Sequence, residues 1–457
     1  MQSKSSHHII IGFMLLCAII LASCEEFLNA RPERSLAVPS TVEDLRAILD
    51  NETLTNSSYP AAGDIASDCY FMSGSDWAKL NEDIRNLYLW KNEALTDDRD
   101  WSTNYKRVLN ANIVLDNIET ANLDNLSEAD RRWVKGTALF LRGWTFYHVA
   151  QLFAPLYDKS TAMDLLGIPL KMESDIAEDI RRATLEETYA QIISDLENAA
   201  DLLPATVRVA TRPNKAAAYA ALARVALVMG DYGKARDYST ASLDYNAALI
   251  DFNTLDTTLA NPIAELSDEV LFHCELWNGG RVFSNGGAKV NPDLAAAYSK
   301  KDLRKLVFFH QNEDGTSGFT GAYGRFAGVP FSGLAVDEVY LTRAEAFARL
   351  GDKANALKDL NTLLAKRWES GTFVDRTAHT AEEALKLIII EREKELVYRG
   401  GIRWNDLRRL NKDPRFARTL RRTMEGQTYE LPAGDKRYTF LIPPDVISLS
   451  GMQQNER

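Results

Sequence analysis

The chain has 457 residues, 46% hydrophobic and 26% charged. That is enough apolar material for a sizeable core and too much charge for a bundle of membrane spans. Lys and Arg number 53 against 64 Asp and Glu, a net charge of −11, which argues against nucleic acid, whose phosphates call for a basic surface. Four cysteines are too few for a disulfide-stapled scaffold, and their spacing fits no zinc site.

At the start, Lys4 precedes an apolar run from Ile9 to Ala22. The run is shorter than the roughly 20 residues of a membrane-spanning helix and has the length of a signal-peptide core. It ends in Leu21-Ala22-Ser23-Cys24, which resembles the lipobox of bacterial lipoproteins. Residues 1–23 are therefore expected to be a signal peptide and Cys24 the lipid-bearing N-terminus of the mature chain, with residues 24–457 as one domain. Glu25 and Glu26 look like the surface-export signal of Bacteroidetes lipoproteins. Cys69 and Cys274 remain, either paired or buried as small hydrophobes.

Most of the body reads as helical hairpins. Residues 131–153 carry Val134, Ala138, Leu141, Thr145, Val149 and Leu152 at helical spacing. Residues 184–203 open on a capping box, Thr184 and Glu187, and stop before Pro204. Tyr219 to Leu243 then matches Tyr340 to Leu364 at a spacing of about 121 positions, with Gly230-Asp231 answering Gly351-Asp352. Small residues at crossings and a Gly-Asp turn are the mechanics of a tetratricopeptide hairpin, and helices at 131–153 and 381–399 are expected to complete the stack. Two stretches, about 51–100 and 251–335, are rich in Gly, Asn, Ser and aromatic residues. They read as long irregular loops with minor β structure, including a strand from Val270 to Leu276. The fold class is mainly α.

Together these pieces resemble the SusD/RagB family of outer-membrane nutrient-binding lipoproteins. Ala138 to Tyr147 (ALFLRGWTFY) is similar to a family helix that usually has alanine where Gly143 stands. Gly167-Ile168-Pro169-Leu170 looks like the family's Gly-x-Pro-Leu, here displaced by an insertion from about Leu156 to Leu166. Glu391 to Leu407 (EREKELVYRGGIRWNDL) resembles its C-terminal signature, and Tyr438 to Pro443 looks like its final strand. The resemblance implies a lipid-anchored protein on the outer face of the outer membrane. It further implies a partner, a SusC-like TonB-dependent transporter, to which captured glycan is delivered; RagB-like capture of peptide or another nutrient is the alternative.

A sugar offers one apolar C–H face and a rim of hydroxyls, matched by flat rings and by planar polar groups. In the two loop stretches Trp77, Trp90 and Trp277 are the preferred stacking residues, with Asp68, Arg85 and Asn278 as polar partners; Phe283, Tyr323 and Phe326 lie in the same blocks. Trp101, Trp133, Trp144, Trp368 and Trp404 sit in helical context and are expected to pack. The run Glu391 to Glu395 is expected to be a solvated or inter-hairpin salt-bridge face, and Arg403 and Asp406 to pair as a clamp. No nucleophile elbow, Walker loop or dinucleotide fingerprint is present. The mature chain's four histidines stand apart, and alternation in a strand would send Cys274 away from His273 and Glu275. Catalysis, a metal site and a cofactor are not expected, a structural calcium ion in an acid-rich loop being the one option left open.

Overall fold

The computed structural model describes residues 39–175, 180–277, 282–283, 287–321, 323–324 and 329–457. Cys24, Asn278 and Phe326 lie outside the described residues. Two units separate, Met1–Ser40 and Thr41–Arg457, and every element below belongs to the second.

The helical frame begins with α1 (Val42–Leu49) and α2 (Arg99–Asn117), followed by α3 (Glu128–Phe153). A capping box starts α3: the Ser127 hydroxyl accepts from the Asp130 amide and the Asp130 carboxylate from the Ser127 amide. From Gly136 to Phe153 every residue of α3 is buried, so this helix is the central post of the molecule rather than a surface helix with one apolar stripe. The capping box read at Thr184 and Glu187 opens α4 (Leu185–Leu202). Then come α5 (Lys215–Met229) and α6 (Tyr232–Tyr245), α7 (Val336–Arg349) and α8 (Lys353–Leu364), α9 (Ala381–Glu395) and α10 (Ile402–Leu410). Each helix from α2 to α8 packs on its successor, and α9 lies against α7. This is the tetratricopeptide-like stack expected from the repeat.

The two repeat turns agree bond for bond. Gly230 and Gly351 take the left-handed conformation, φ +78° and +87°, and stop their helices. The amides of Asp231 and Asp352 reach back to the carbonyls of Ala226 and Phe347 at 3.0 and 2.9 Å. Each aspartate then caps the next helix by accepting from Lys234 or Asn355.

Strands are short and paired two by two. β1 (Tyr70–Phe71) pairs with β5 (Lys289–Val290), β2 (Leu166–Pro169) with β3 (Arg182–Thr184), and β4 (Val270–Phe272) with β8 (Leu334–Ala335). β6 (Phe309–Gln311) pairs with β7 (Ser317–Phe319), and β9 (Leu420–Met424) with β10 (Gln427–Leu431). The expected strand at 270–276 is thus cut at Phe272, with single bridges continuing from Glu275 to Phe331 and from Leu276 to Tyr59. Residues 51–100 are less irregular than expected, because Glu52–Thr55, Ala62–Ala66, Gly74–Trp77 and Glu82–Tyr88 are short helices. Tyr438 to Pro443 is not a strand: it leaves a 3-10 turn at Lys436–Tyr438, and Phe440 donates to the Leu152 carbonyl at 2.8 Å.

The charged run at 391–395 is not solvated. Arg304, fully buried, donates to Asp302 at 2.7 Å, Glu391 at 2.6 Å and Glu395 at 3.1 Å. Arg367, equally buried, bridges Glu395 at 2.7 Å and Glu269 at 2.6 Å. Arg392 donates to Asp406 at 2.8 Å, and Arg409 joins Asp406 to Glu345. The expected Arg403–Asp406 clamp does not form, since Asp406 is taken by Arg392 and Arg409 while Arg403 turns to Asp68 and Glu393. Cys69 and Cys274 are buried and unpaired; burial pushes each thiol up to about 12.

Candidate functional site

The two loop blocks identified in the sequence are stitched together backbone to backbone. Tyr59 donates to the Glu275 carbonyl and receives from the Trp277 amide, both at 3.0 Å. The Asn56 side chain donates to the carbonyls of His273 at 2.7 Å and Thr211 at 3.0 Å. β1 pairs with β5 in the register Tyr70–Val290 and Phe71–Lys289. Asn291 binds the Cys69 carbonyl through its amide at 2.8 Å and the Asp68 carbonyl through its side chain at 3.1 Å. Short extended pieces with exposed polar ends cannot persist alone, so each block supplies the hydrogen-bond partners of the other.

Along this seam several aromatic rings remain partly in solvent. Trp77 ends the short helix Gly74–Trp77, which Ser73 caps by accepting from the Asp76 amide. Its indole is half-buried, the ring nitrogen points at the Arg85 carbonyl at 3.5 Å, and the half-buried Arg85 guanidinium lies 5.4 Å from the ring centroid. Of the expected binders, Trp77 and Arg85 are the two that come together with solvent access. Phe319 lies flat on Tyr398, centroids 4.5 Å apart and planes 12° from parallel. Phe283 meets Tyr70 edge-on at 5.5 Å. Both phenylalanines are half-buried, and Tyr70 is anchored by its hydroxyl to the Ile65 carbonyl at 2.7 Å.

Three expected binders are placed otherwise. Trp90 is 4% exposed; its indole donates to the Ala66 carbonyl at 2.9 Å. Its ring, with Tyr88 and Tyr70, encloses the Arg422 guanidinium at 4.5, 3.7 and 5.3 Å, so it has no face left for a sugar. Trp277 is also 4% exposed, because its ring nitrogen donates to the buried Asp100 carboxylate and the Arg99 guanidinium covers the ring at 4.2 Å. Asp68 accepts two hydrogen bonds from Arg403 at 2.5 and 2.7 Å. Burial pushes its carboxyl up, but Arg403 and Arg418 outweigh that and hold it below the ordinary carboxylate range. Asp68 is therefore a structural acceptor joining β1 to α10. Tyr323, too, is buried, under Arg399 at 4.2 Å.

Sequence reading missed Phe319 and Tyr398. Their signal was present, an aromatic in a Gly-rich stretch and one just before Gly400-Gly401, but only the pairing of β6 with β7 and the fold of the turn after α9 bring them into contact. Behind the face, burial pushes Asp100 up to about 7 against the pull of the Trp277 and Ala61 N–H groups. It pushes Asp64 up to about 8 against the Gly401 N–H. Both carboxyls therefore favour their neutral form below these values. Among the described residues no group of three or more His, Cys, Asp or Glu gathers to hold a metal.

A stack of helical hairpins carrying a loop-built aromatic face defines a tetratricopeptide-like binding scaffold. A SusD-like family model, described as starch-binding and associating with the outer membrane, matches residues 26–227, and the SusD family model matches residues 275–440. The chain belongs to the SusD/RagB family. It is similar to SusD-like protein P2 of Formosa agariphila, 25% identical over 68% of this chain and 71% of the relative. Among solved structures it resembles a putative sugar binding protein from Bacteroides vulgatus, with TM-score 0.74 and 21% identity over 91% of this chain and 98% of the other. It also resembles a SusD superfamily protein from Bacteroides thetaiotaomicron, with TM-score 0.73 and 22% identity over 91% of this chain and all of the other. Members of this family associate with the outer membrane at the cell surface. Among the described residues no helix is long and apolar enough to cross a membrane.

Proposed function

We propose that this protein is a non-catalytic, surface-exposed lipoprotein that captures an oligosaccharide and hands it to a SusC-like TonB-dependent transporter, with Cys24 as its lipid anchor. The observation that carries the reading is the seam of the two loop blocks. There Trp77, Phe283 and Phe319 present partly open rings, and Arg85 adds a planar donor beside Trp77, the pairing a sugar's apolar face and hydroxyl rim require. Family membership supports the same reading.

Affinity electrophoresis through gels cast with a panel of polysaccharides tests it. One polysaccharide retards the protein; Trp77→Ala removes that retardation and Arg85→Ala weakens it at least fivefold, while the fold, followed by circular dichroism, is unchanged. Retention that survives Trp77→Ala overturns the site, and release of reducing ends from the retained glycan overturns the non-catalytic reading. For the anchor, radiolabelled palmitate enters the exported chain and Cys24→Ala abolishes the label.

A further inference from the structure

Three tyrosines gather on the surface of the α5–α6 hairpin and share no residue with the aromatic face. Tyr238 and Tyr245 stand seven positions apart on α6, two helical turns and therefore one side of the helix. Tyr219 of α5 neighbours both. Its ring centroid is 6.5 Å from that of Tyr238 and 6.2 Å from that of Tyr245, with planes 25° and 8° from parallel. Near-parallel rings at that distance overlap little, so the three form a strip rather than a pile. Tyr245 is 46% exposed, and the other two are half-buried.

The border of the strip is polar. Glu197 on α4 is exposed and accepts from the Tyr238 hydroxyl, and Asp201 follows it one turn on. Burial raises the Tyr219 hydroxyl, and Tyr245, Asp201 and Glu197 raise it further, which places both carboxylates beside the rings. Lys215 is engaged with the Ala200 and Asp201 carbonyls at 2.5 and 3.4 Å, and Lys234 overhangs Tyr238 at 5.3 Å.

The second repeat is an internal control. At the spacing of the repeat Tyr219 corresponds to Tyr340, but Tyr238 corresponds to Asp359 and Tyr245 to Lys366. There Arg343 donates to Asp359 at 2.7 and 2.9 Å and lies 5.8 Å from the Tyr340 ring, while Lys366 pairs with Asp251 at 3.2 Å. The same hairpin thus closes its surface with ion pairs in one copy and presents rings in the other. Hairpin packing does not account for aromatic side chains at 238 and 245.

We infer that this strip is a second glycan-binding surface, taking a neutral polysaccharide chain. The inference rests on the reading that the ligand captured at the seam is a glycan. Sugar C–H faces lie on Tyr219 and Tyr245, whose spacing is close to the length of one residue in a glycan chain, and the hydroxyls meet Glu197, Asp201 and the tyrosine O–H groups. Carboxylates at the border repel uronate and sulfate groups. They also disfavour a protein partner, since the core of such an interface is depleted of charge. An open strip holds a chain too weakly to retain it alone; on a polymer already bound at the seam it adds avidity.

Nitration by tetranitromethane, located by peptide mass spectrometry, tests this. The polymers are amylopectin, laminarin and galactomannan, with alginate and polygalacturonate as anionic comparators. One neutral polymer slows nitration of Tyr245 at least threefold and leaves Tyr340, its reference in the second repeat, unaltered. The anionic polymers do not protect. Protection persists in Trp77→Ala at raised polymer concentration, so the strip is read apart from the seam. In gels cast with the protecting polymer, Tyr245→Ala weakens retention at least threefold at an unchanged melting temperature. A parent that is retarded while no neutral polymer protects Tyr245 overturns the strip and leaves the seam standing. Equal protection by alginate, protection lost in Trp77→Ala, or full retention in Tyr245→Ala also overturns it. So does a sedimentation coefficient that rises with protein concentration and stays low in Tyr245→Ala, which would make the strip a contact between two copies of the chain.

Discussion

A buried indole N–H needs an acceptor, and a buried arginine needs its charge spread or balanced. Trp90 and Arg422 answer both needs at once, the ring screening the guanidinium while its nitrogen bonds the Ala66 carbonyl. Trp90→Ala removes a large buried ring and uncovers that charge, so the stability loss is about 3–5 kcal/mol, read as a lowered denaturation midpoint at unchanged slope. Trp77→Ala, at a half-buried ring, costs about 1 kcal/mol or less while abolishing glycan retention. Asp100 makes a pH prediction. Its folded pKa of about 7 lies above the unfolded value, so its contribution is complete at acid pH and is lost as pH rises from the ordinary carboxylate range through about 7. Asp100→Asn keeps an acceptor for Trp277 and Ala61 but cannot ionise. Its stability relative to the parent therefore rises between pH 5 and pH 7, by on the order of 1–2 kcal/mol, in denaturant titrations at the two pH values. In the sequence Trp77, Trp90 and Trp277 are equivalent, each in a polar, irregular stretch. What separates them is Arg422 and Asp100, which come from β9 and α2.

Elements show the reverse, since their periodicity and caps are written locally. The capping box at Thr184 and Glu187, the Gly-Asp turns and the repeat spacing all appear in the structure as read, because each depends on residues within a few positions. Two glycines separate the physical reasons for that residue. At Gly230 a Cβ would meet nothing within 4 Å, and φ is +78°, so Gly230→Ala costs only the strain of a left-handed residue, about 1 kcal/mol. At Gly143 the backbone is helical, but a Cβ would stand 2.9 Å from the Asp195 Cβ and 3.2 Å from the Ile192 carbonyl of α4. Gly143→Ala forces α3 from α4 and strains the Arg142–Asp195 ion pair, at about 1–3 kcal/mol. Thermal melts of the two variants check the order. The segment after Tyr438 read as a strand because its apolar residues fit one; its neighbours offer no ladder, and Phe440 bonds to the end of α3 instead.

At the scale of the molecule, the charge network around α9 decides between the two readings of residues 391–395: the inter-hairpin salt-bridge face is the one that forms, and it is buried. Sequence shows the charges of 391–395, whereas their partners Arg304, Asp302, Arg367 and Glu269 arrive from far along the chain and bury the salt-bridge face as a lattice. Arg304→Met leaves Asp302, Glu391 and Glu395 short of a cation, and the expected loss of roughly 3 kcal/mol or more appears in urea denaturation. The two loop blocks were legible in composition as long irregular stretches, but not that they lie against each other, which the structure alone shows. Nor was the identity of the open rings legible, being set by strand pairings of two or three residues.

The pair of sulfurs buried apart from each other has an experimental consequence. In a chain beginning at Glu25 the remaining thiols are Cys69 and Cys274, 5% and 0% exposed, so maleimide dyes find no target until the body opens. Labelling rate under mild conditions then serves as a built-in gauge of spontaneous opening. Cys69 reports on the strand that underlies the aromatic seam and Cys274 on the segment beneath α5, and ligand capture should slow the first clock more than the second.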